Sequence, residues 1–170
     1  MIAKRLLWAA LALTPVAAMA LPAPKIHIAS FADLPIVERA PYDTNANAPA
    51  AVDAAFARAK KSGKRVLIDL GGNWCGDCIV LDNLMQLPEL KKFLDAHFEI
   101  VIVDVGRFDK NLQITDRFGV TDEMKNGGVP SIIVADADGK IIDRGHVAAL
   151  EDARHMSPQA LADWLAQWAK

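Results

Sequence analysis

The sequence predicts an α/β domain: a central mixed sheet, made of parallel strands plus a C-terminal hairpin, flanked by helices. Three observations predict it. Two runs, "RVLIDLGG" at 65–72 and "FEIVIVDVG" at 98–106, are nearly all apolar, as strands buried on both faces of a sheet are. Stretches of helical periodicity stand before, between and after them. A third apolar run, "VPSIIVAD" at 129–136, meets the turn signal "ADG" at 137–139 and a return segment "KIIDRG" at 140–145, the pattern of a hairpin.

The elements follow in order. Residues 21–48 hold Pro22, Pro24, Pro35 and Pro41 and little periodicity, and read as an extended arm with one short strand near Lys25–Ser30. From there Val52, Ala55, Phe56 and Ala59 recur at helical spacing, and "SGK" at 62–64 stops that helix. After the first strand, "CIVLDNLMQ" reads as a helix that Pro88 breaks before "ELKKFLDAH" resumes it. After the second strand, "DKNLQITDRFGV" is a short helix with Gly119 as its stop. The crossovers make successive strands parallel until the hairpin. Ser157 as N-cap and Pro158 at the first helical position open the last helix, whose stripe is Leu161, Trp164, Leu165 and Trp168.

The first 20 residues stand apart. Lys4 and Arg5 precede the uncharged run 6–19, and "AMA" at 18–20 is a small-x-small cleavage site, so residues 1–20 read as a signal peptide cut after Ala20. The run is shorter than the about 20 residues a membrane span needs, and Pro15 interrupts it. The domain proper is then 49–170. Export places the chain in an oxidising compartment, the periplasm or the secreted fraction. The full chain of 170 residues carries a formal net charge of −2, which becomes −4 without Lys4 and Arg5. No basic patch points to nucleic acid. Nothing in the pattern calls for more than a monomer.

The chain has two cysteines, Cys75 and Cys78, with two residues between them, at the carboxyl end of a buried strand and the start of a helix. Open α/β sheets place their chemistry there. A cysteine in the first helical turn is favoured as thiolate by the helix dipole and the free N–H groups. A second thiol one turn on is shielded and placed to attack a mixed disulfide, so the pair supplies a nucleophile and a resolving thiol. Two other uses fit less well. A stapling disulfide over so small a ring constrains the unfolded chain least. A metal site needs two more ligands, and His27, His97, His146 and His155 have no paired spacing. No metal and no cofactor beyond a redox-active Cys75–Cys78 pair is expected.

Asp69 interrupts "VLIDL". A buried carboxylate costs several kcal/mol unless it is paired or kept protonated. Such a residue is either a hydrogen-bonded structural group or one in use.

"WCGDC" after a buried strand, followed about fifty residues on by "GGVPSIIV", resembles the thioredoxin family, and the similarity covers roughly residues 50–170. The resemblance implies a thioredoxin-like fold and thiol–disulfide oxidoreductase activity. It implies that Cys75 attacks, that Cys78 resolves, and that Asp69 moves a proton for Cys78. Trp74 and Gly76 match the family's active-site loop, with Trp74 shaping the contact surface. Val129–Pro130 matches its cis-proline loop, which presents backbone to substrate. Exported proteins with disulfides are the implied substrates, and a membrane electron donor the implied source of reducing equivalents.

The chain departs from the family at Asp77, where proline is usual. An acid about 6 Å from Cys75, at an effective dielectric near 20 and screened to about a third, disfavours the thiolate by about one pKa unit. That favours the disulfide and makes the pair a better reductant. Val129 before the proline is also similar to the disulfide-forming oxidases. The expected function is therefore a reductant. A disulfide-forming oxidase or isomerase is the second reading, and a thioredoxin-fold binding module or chaperone with an idle disulfide is the third.

Overall fold

The computed structural model describes residues 21–35 and 40–170. The signal-like segment 1–20 lies outside them. Three strands, β1 (Arg65–Gly71), β2 (Phe98–Asp104) and β3 (Ser131–Ala135), form one sheet in the order β2-β1-β3. Among the described residues six α-helices accompany them: α1 (Ala48–Ser62), α2 (Gly76–Met85), α3 (Pro88–His97), α4 (Leu112–Phe118), α5 (Thr121–Gly127) and α6 (Pro158–Ala166).

The local signals act where expected. Asn47 caps α1 through its side chain, and Gly63 ends it in the left-handed conformation. Pro88 sits in the first turn of α3, so the helical run after β1 splits in two. Gly119 closes α4. Ser157 accepts from the Ala160 N–H at the start of α6, ahead of Pro158.

Core lies on both sides of the sheet. One cluster joins Val52 and Phe56 of α1, Ile68 and Leu70 of β1, and Ile114 and Phe118 of α4. The other joins Leu67 of β1, Leu81 and Leu84 of α2, Leu90 and Leu94 of α3, and Leu161 and Leu165 of α6. Trp164 and Trp168 are half-buried against the second cluster, with rings 5.9 Å apart edge to face.

Four expectations change. Only β1 and β2 are parallel, with Leu70 paired to Val103; β3 runs antiparallel to β1, with Leu70 opposite Ser131. The cause is the 105–130 connection. It holds a second helix, α5, beyond Gly119, and returns the chain at the end where β1 finishes, where a parallel crossover would deliver it to the other end. The hairpin after β3 keeps its turn, but its return strand shrinks to a single bridge, Ala135 to Ile141. Buried Asp143 and the left-handed Gly145 bend the chain away there. Strand β2 is an edge strand, with Glu99, Ile100 and Ile102 only half-buried.

The arm has no strand at 25–30; among its described residues before α1, the regular piece is a 3-10 turn at Phe31–Asp33. It is nonetheless docked. Ile26 is buried in the α2–α3–α6 cluster, its N–H donates to Gln159, and the Gln159 amide donates to the Pro24 carbonyl.

Candidate functional site

The antiparallel entry of β3 places the 128–130 loop beside the end of β1 and the start of α2. The two halves of the candidate site meet there. Gly71 ends β1, and its carbonyl accepts the Val105 N–H, which draws the loop after β2 to the same end. Gly128 turns the chain at φ +113°, a conformation side chains rarely adopt. The Ser131 hydroxyl donates to the Gly128 carbonyl at 2.6 Å and pins the turn. The Val129–Pro130 peptide bond is cis.

Cys75 is the N-cap of α2 and forms a disulfide with Cys78. The Cys78 N–H points at the Cys75 sulfur from 3.1 Å. That sulfur lies 3.3 Å from the Val129 carbonyl oxygen. Cys75 keeps 6% exposure and Cys78 none, so a partner can reach only the first sulfur. A shallow cleft of about 380 Å³ opens over it, lined by Trp74, Cys75, Gly76, Phe108, Val129 and Arg154.

Trp74 is the exposed large hydrophobic residue at the rim, at 42%. Its indole N–H donates to the Gly106 carbonyl, Arg107 stacks on its face at 4.6 Å, and Phe108 meets it edge-on at 6.1 Å. Phe108 itself sits at φ +65°, which is costly for a bulky side chain. That backbone is what aims its ring at the cleft.

Asp77 is where the sequence-based argument changes. It does not stand as a free charge beside Cys75. Arg154, from the 3-10 turn Ala153–His155, donates to both of its oxygens through Nε and Nη2, at 3.0 and 2.6 Å, and adds its backbone N–H at 2.9 Å. Burial pushes the Asp77 carboxyl up, but the hydrogen bonds and charge of Arg154, helped by His155, outweigh it and hold the carboxyl below its ordinary range. Asp77 is ionised, and its charge is matched. Its push on the thiolate is accordingly smaller than the sequence implied.

Asp69 is fully buried near the loop end of β1. Burial raises its carboxyl to about 7, the Tyr42 hydrogen bond opposes that, and Asp82 of α2 adds to it. Tyr42, from the arm, donates its hydroxyl to both Asp69 oxygens at 3.0 and 3.1 Å.

Of the residues expected from the sequence, Trp74, Cys75, Gly76, Asp77 and Val129 line one cleft, Cys78 and Pro130 are buried next to them in the chain, and Asp69 is buried in β1. Sequence reading missed Tyr42, Arg154 and Phe108. Phe108, between Arg107 and Asp109 and two residues after Gly106, carried a weak loop signal; Tyr42 and Arg154 carried none. Among the described residues no group of three or more histidine, cysteine or acidic side chains is arranged to hold a metal.

Comparison with known proteins places this geometry. A family model described as thioredoxin-like matches residues 47–137, slightly more than half the chain. A thioredoxin from Alicyclobacillus acidocaldarius is 37% identical over 68 residues, 40% of this chain; the chain spans 60% of that relative's length. The crystal structure of a disulphide isomerase from Xylella fastidiosa Temecula1 superposes with a TM-score of 0.69 at 35% identity, covering 76% of this chain and 97% of that one. On the matched domain, the cysteine pair and the cis-proline loop, the chain belongs to the thioredoxin-like family.

Proposed function

We propose that the chain is an exported thiol–disulfide oxidoreductase that reduces disulfides in other exported proteins, acting as a monomer in the periplasm. The carrying observation is the asymmetry of the pair: Cys75 keeps 6% exposure at the N-terminus of α2, in the cleft, and Cys78 is fully buried one turn on. In the reduced protein the Cys75 thiolate attacks a substrate disulfide and releases one substrate thiolate. Cys78 gives its proton to Asp69 and attacks the Cys75 sulfur. The bond from Cys75 to the substrate breaks, and its electron pair leaves on the second substrate thiolate, which takes a proton from solvent. The substrate gains two electrons and the pair becomes the disulfide. Trp74, Gly76, Val129 and Pro130 form the contact surface.

Export rests on the residues at 1–20. The reducing direction is supported by the site's charges: among the described residues, the cation lining the cleft, Arg154, is committed to Asp77. An oxidase gains its strength by stabilising the thiolate of the reduced form. Reducing equivalents would come from a membrane electron donor.

A disulfide isomerase is the second reading. It is favoured by the likeness to the Xylella fastidiosa protein and by the matched charge of Asp77, which weakens the electrostatic push toward a reductant. Turbidity of insulin with dithiothreitol tests the activity: the protein should accelerate precipitation, and an idle disulfide would not. Cys78→Ser should trap a covalent adduct with exported proteins through Cys75.

A further inference from the structure

The arm contributes one residue to the interior of the site. Tyr42 is 1% exposed, and its hydroxyl donates to the fully buried carboxylate of Asp69 at 3.0 and 3.1 Å. Two features of the β1–α2 unit hold it there. Asn73, in the loop that carries the cysteines, accepts the Tyr42 N–H at 3.1 Å and donates to the Tyr42 carbonyl at 2.8 Å. Gly71 leaves room for the ring: a Cβ there would fall 2.6 Å from the phenol carbon and oxygen. A backbone clamp and a missing side chain thus aim one hydroxyl at one carboxylate, two residues from the end of β1.

The titratable groups acting on Asp69 are Tyr42 from the arm and Asp82 from α2. Burial, and then the Asp69 charge, raises the Tyr42 phenol far above its ordinary value, so it remains a donor at working pH. A donor of this kind stabilises the charged form of a carboxylate. Burial and Asp82 push the other way.

We propose that Tyr42 is a positioning residue of the exchange reaction, its hydroxyl holding Asp69 in the proton-accepting form that serves Cys78. This rests on the function proposed above and gives the arm a role in it. In the resolving step the Cys78 S–H bond breaks and its proton goes to an Asp69 oxygen. The Cys78–Cys75 bond forms, and the electron pair of the Cys75–substrate bond leaves on the substrate thiolate. Without the Tyr42 donor, Asp69 is already protonated at neutral pH and has no place for that proton.

The test is single-turnover exchange of the reduced protein with a disulfide peptide, from pH 5 to 9, with the mixed disulfide trapped by acid quench so that attack and resolution are read separately. Tyr42→Phe should move the rising limb of the resolving step up by about one to two pH units, the worth of a hydrogen bond to a charged group. At pH 7 the fall in ionised Asp69 makes resolution about 5- to 50-fold slower, and attack by Cys75 is unchanged. Asp69→Asn should abolish the limb, and adding Tyr42→Phe to it should change nothing further. The infrared carboxyl band of Asp69 in the oxidised protein, assigned with Asp69→Asn, should titrate higher in Tyr42→Phe by the same interval. An unmoved limb, an unmoved band or additive effects would overturn the proposal. Failure of the wild-type protein to form any mixed disulfide would instead overturn the exchange reading, and the infrared titration would then decide the Tyr42–Asp69 link alone.

Discussion

Arg154 holds Asp77 by both carboxylate oxygens, across 77 positions of sequence, at the edge of the cleft over Cys75. The pair ties the 3-10 turn before α6 to the first turn of α2. It also decides how much of the Asp77 charge the Cys75 sulfur feels.

Removing the arginine should therefore expose that charge. In Arg154→Met the Cys75 thiolate is disfavoured, and the reduction potential should fall by up to about 30 mV, the two-electron equivalent of about one pKa unit. Asp77→Asn in the same chain should restore it. Equilibration with thiol redox buffers reads both, and an unchanged potential in Arg154→Met would show that Asp77 does not act on the sulfur.

Burial of Asp69 has a cost that depends on pH. Its folded value of about 7 lies above the unfolded value near 3.8, so the folded state binds the extra proton between them. The stability linked to that proton is full below about pH 4 and is lost as pH rises through about 7. Asp143, raised to about 7 by burial and by Glu123 against its backbone hydrogen bonds and Arg144, acts in the same direction. Asp77 and Glu99, held low chiefly by Arg154 and Arg58 despite burial, contribute above their unfolded values and lose that contribution in acid. Urea unfolding should show Asp69→Asn more stable than wild type by roughly 2–4 kcal/mol at pH 8, with the gain vanishing near pH 4.

Much of this site was legible because its parts are contiguous. Cys75, Cys78, Trp74 and Asp77 lie within five residues, and Pro130 opens a recognisable apolar strand. The strands and helix stops were legible for the same reason: burial and capping are written in local periodicity and in Gly63, Pro88, Gly119 and Ser157. What was not legible depends on distance. Nothing near Tyr42 signals Asp69, 27 residues on, and nothing near Arg154 signals Asp77. The direction of β3 was misread because α5, seven residues ending in Gly127 with Gly128 as its cap, has too few apolar positions to announce a helix. The return strand was misread because local alternation says nothing of the bend at Asp143.

The rim of the cleft predicts a division of kinetic effects. Trp74→Ala removes the exposed ring, its stack with Arg107 and its edge contact with Phe108. Loss of one aromatic contact worth about 1–2 kcal/mol should raise KM for a protein disulfide about 5- to 30-fold. Turnover of a small disulfide and the potential of the pair should stay near wild type. Equal losses on both substrates would move Trp74 from substrate contact to support of the loop.

Gly71 offers a packing test. Gly71→Ala puts a methyl group where the Tyr42 ring lies, 2.6 Å from its nearest atoms, and the Asn73 clamp leaves the ring little freedom to retreat. Overpacking of this kind costs about 1–3 kcal/mol. Thermal unfolding should show the loss, and Tyr42→Ala in the same chain should relieve part of it.

The reduction potential of the Cys75–Cys78 pair decides the direction of exchange. A reductant should lie near thioredoxin, at about −270 mV. A value near the strong periplasmic oxidases, at about −120 mV, would contradict the reducing direction and make the protein a source of disulfides.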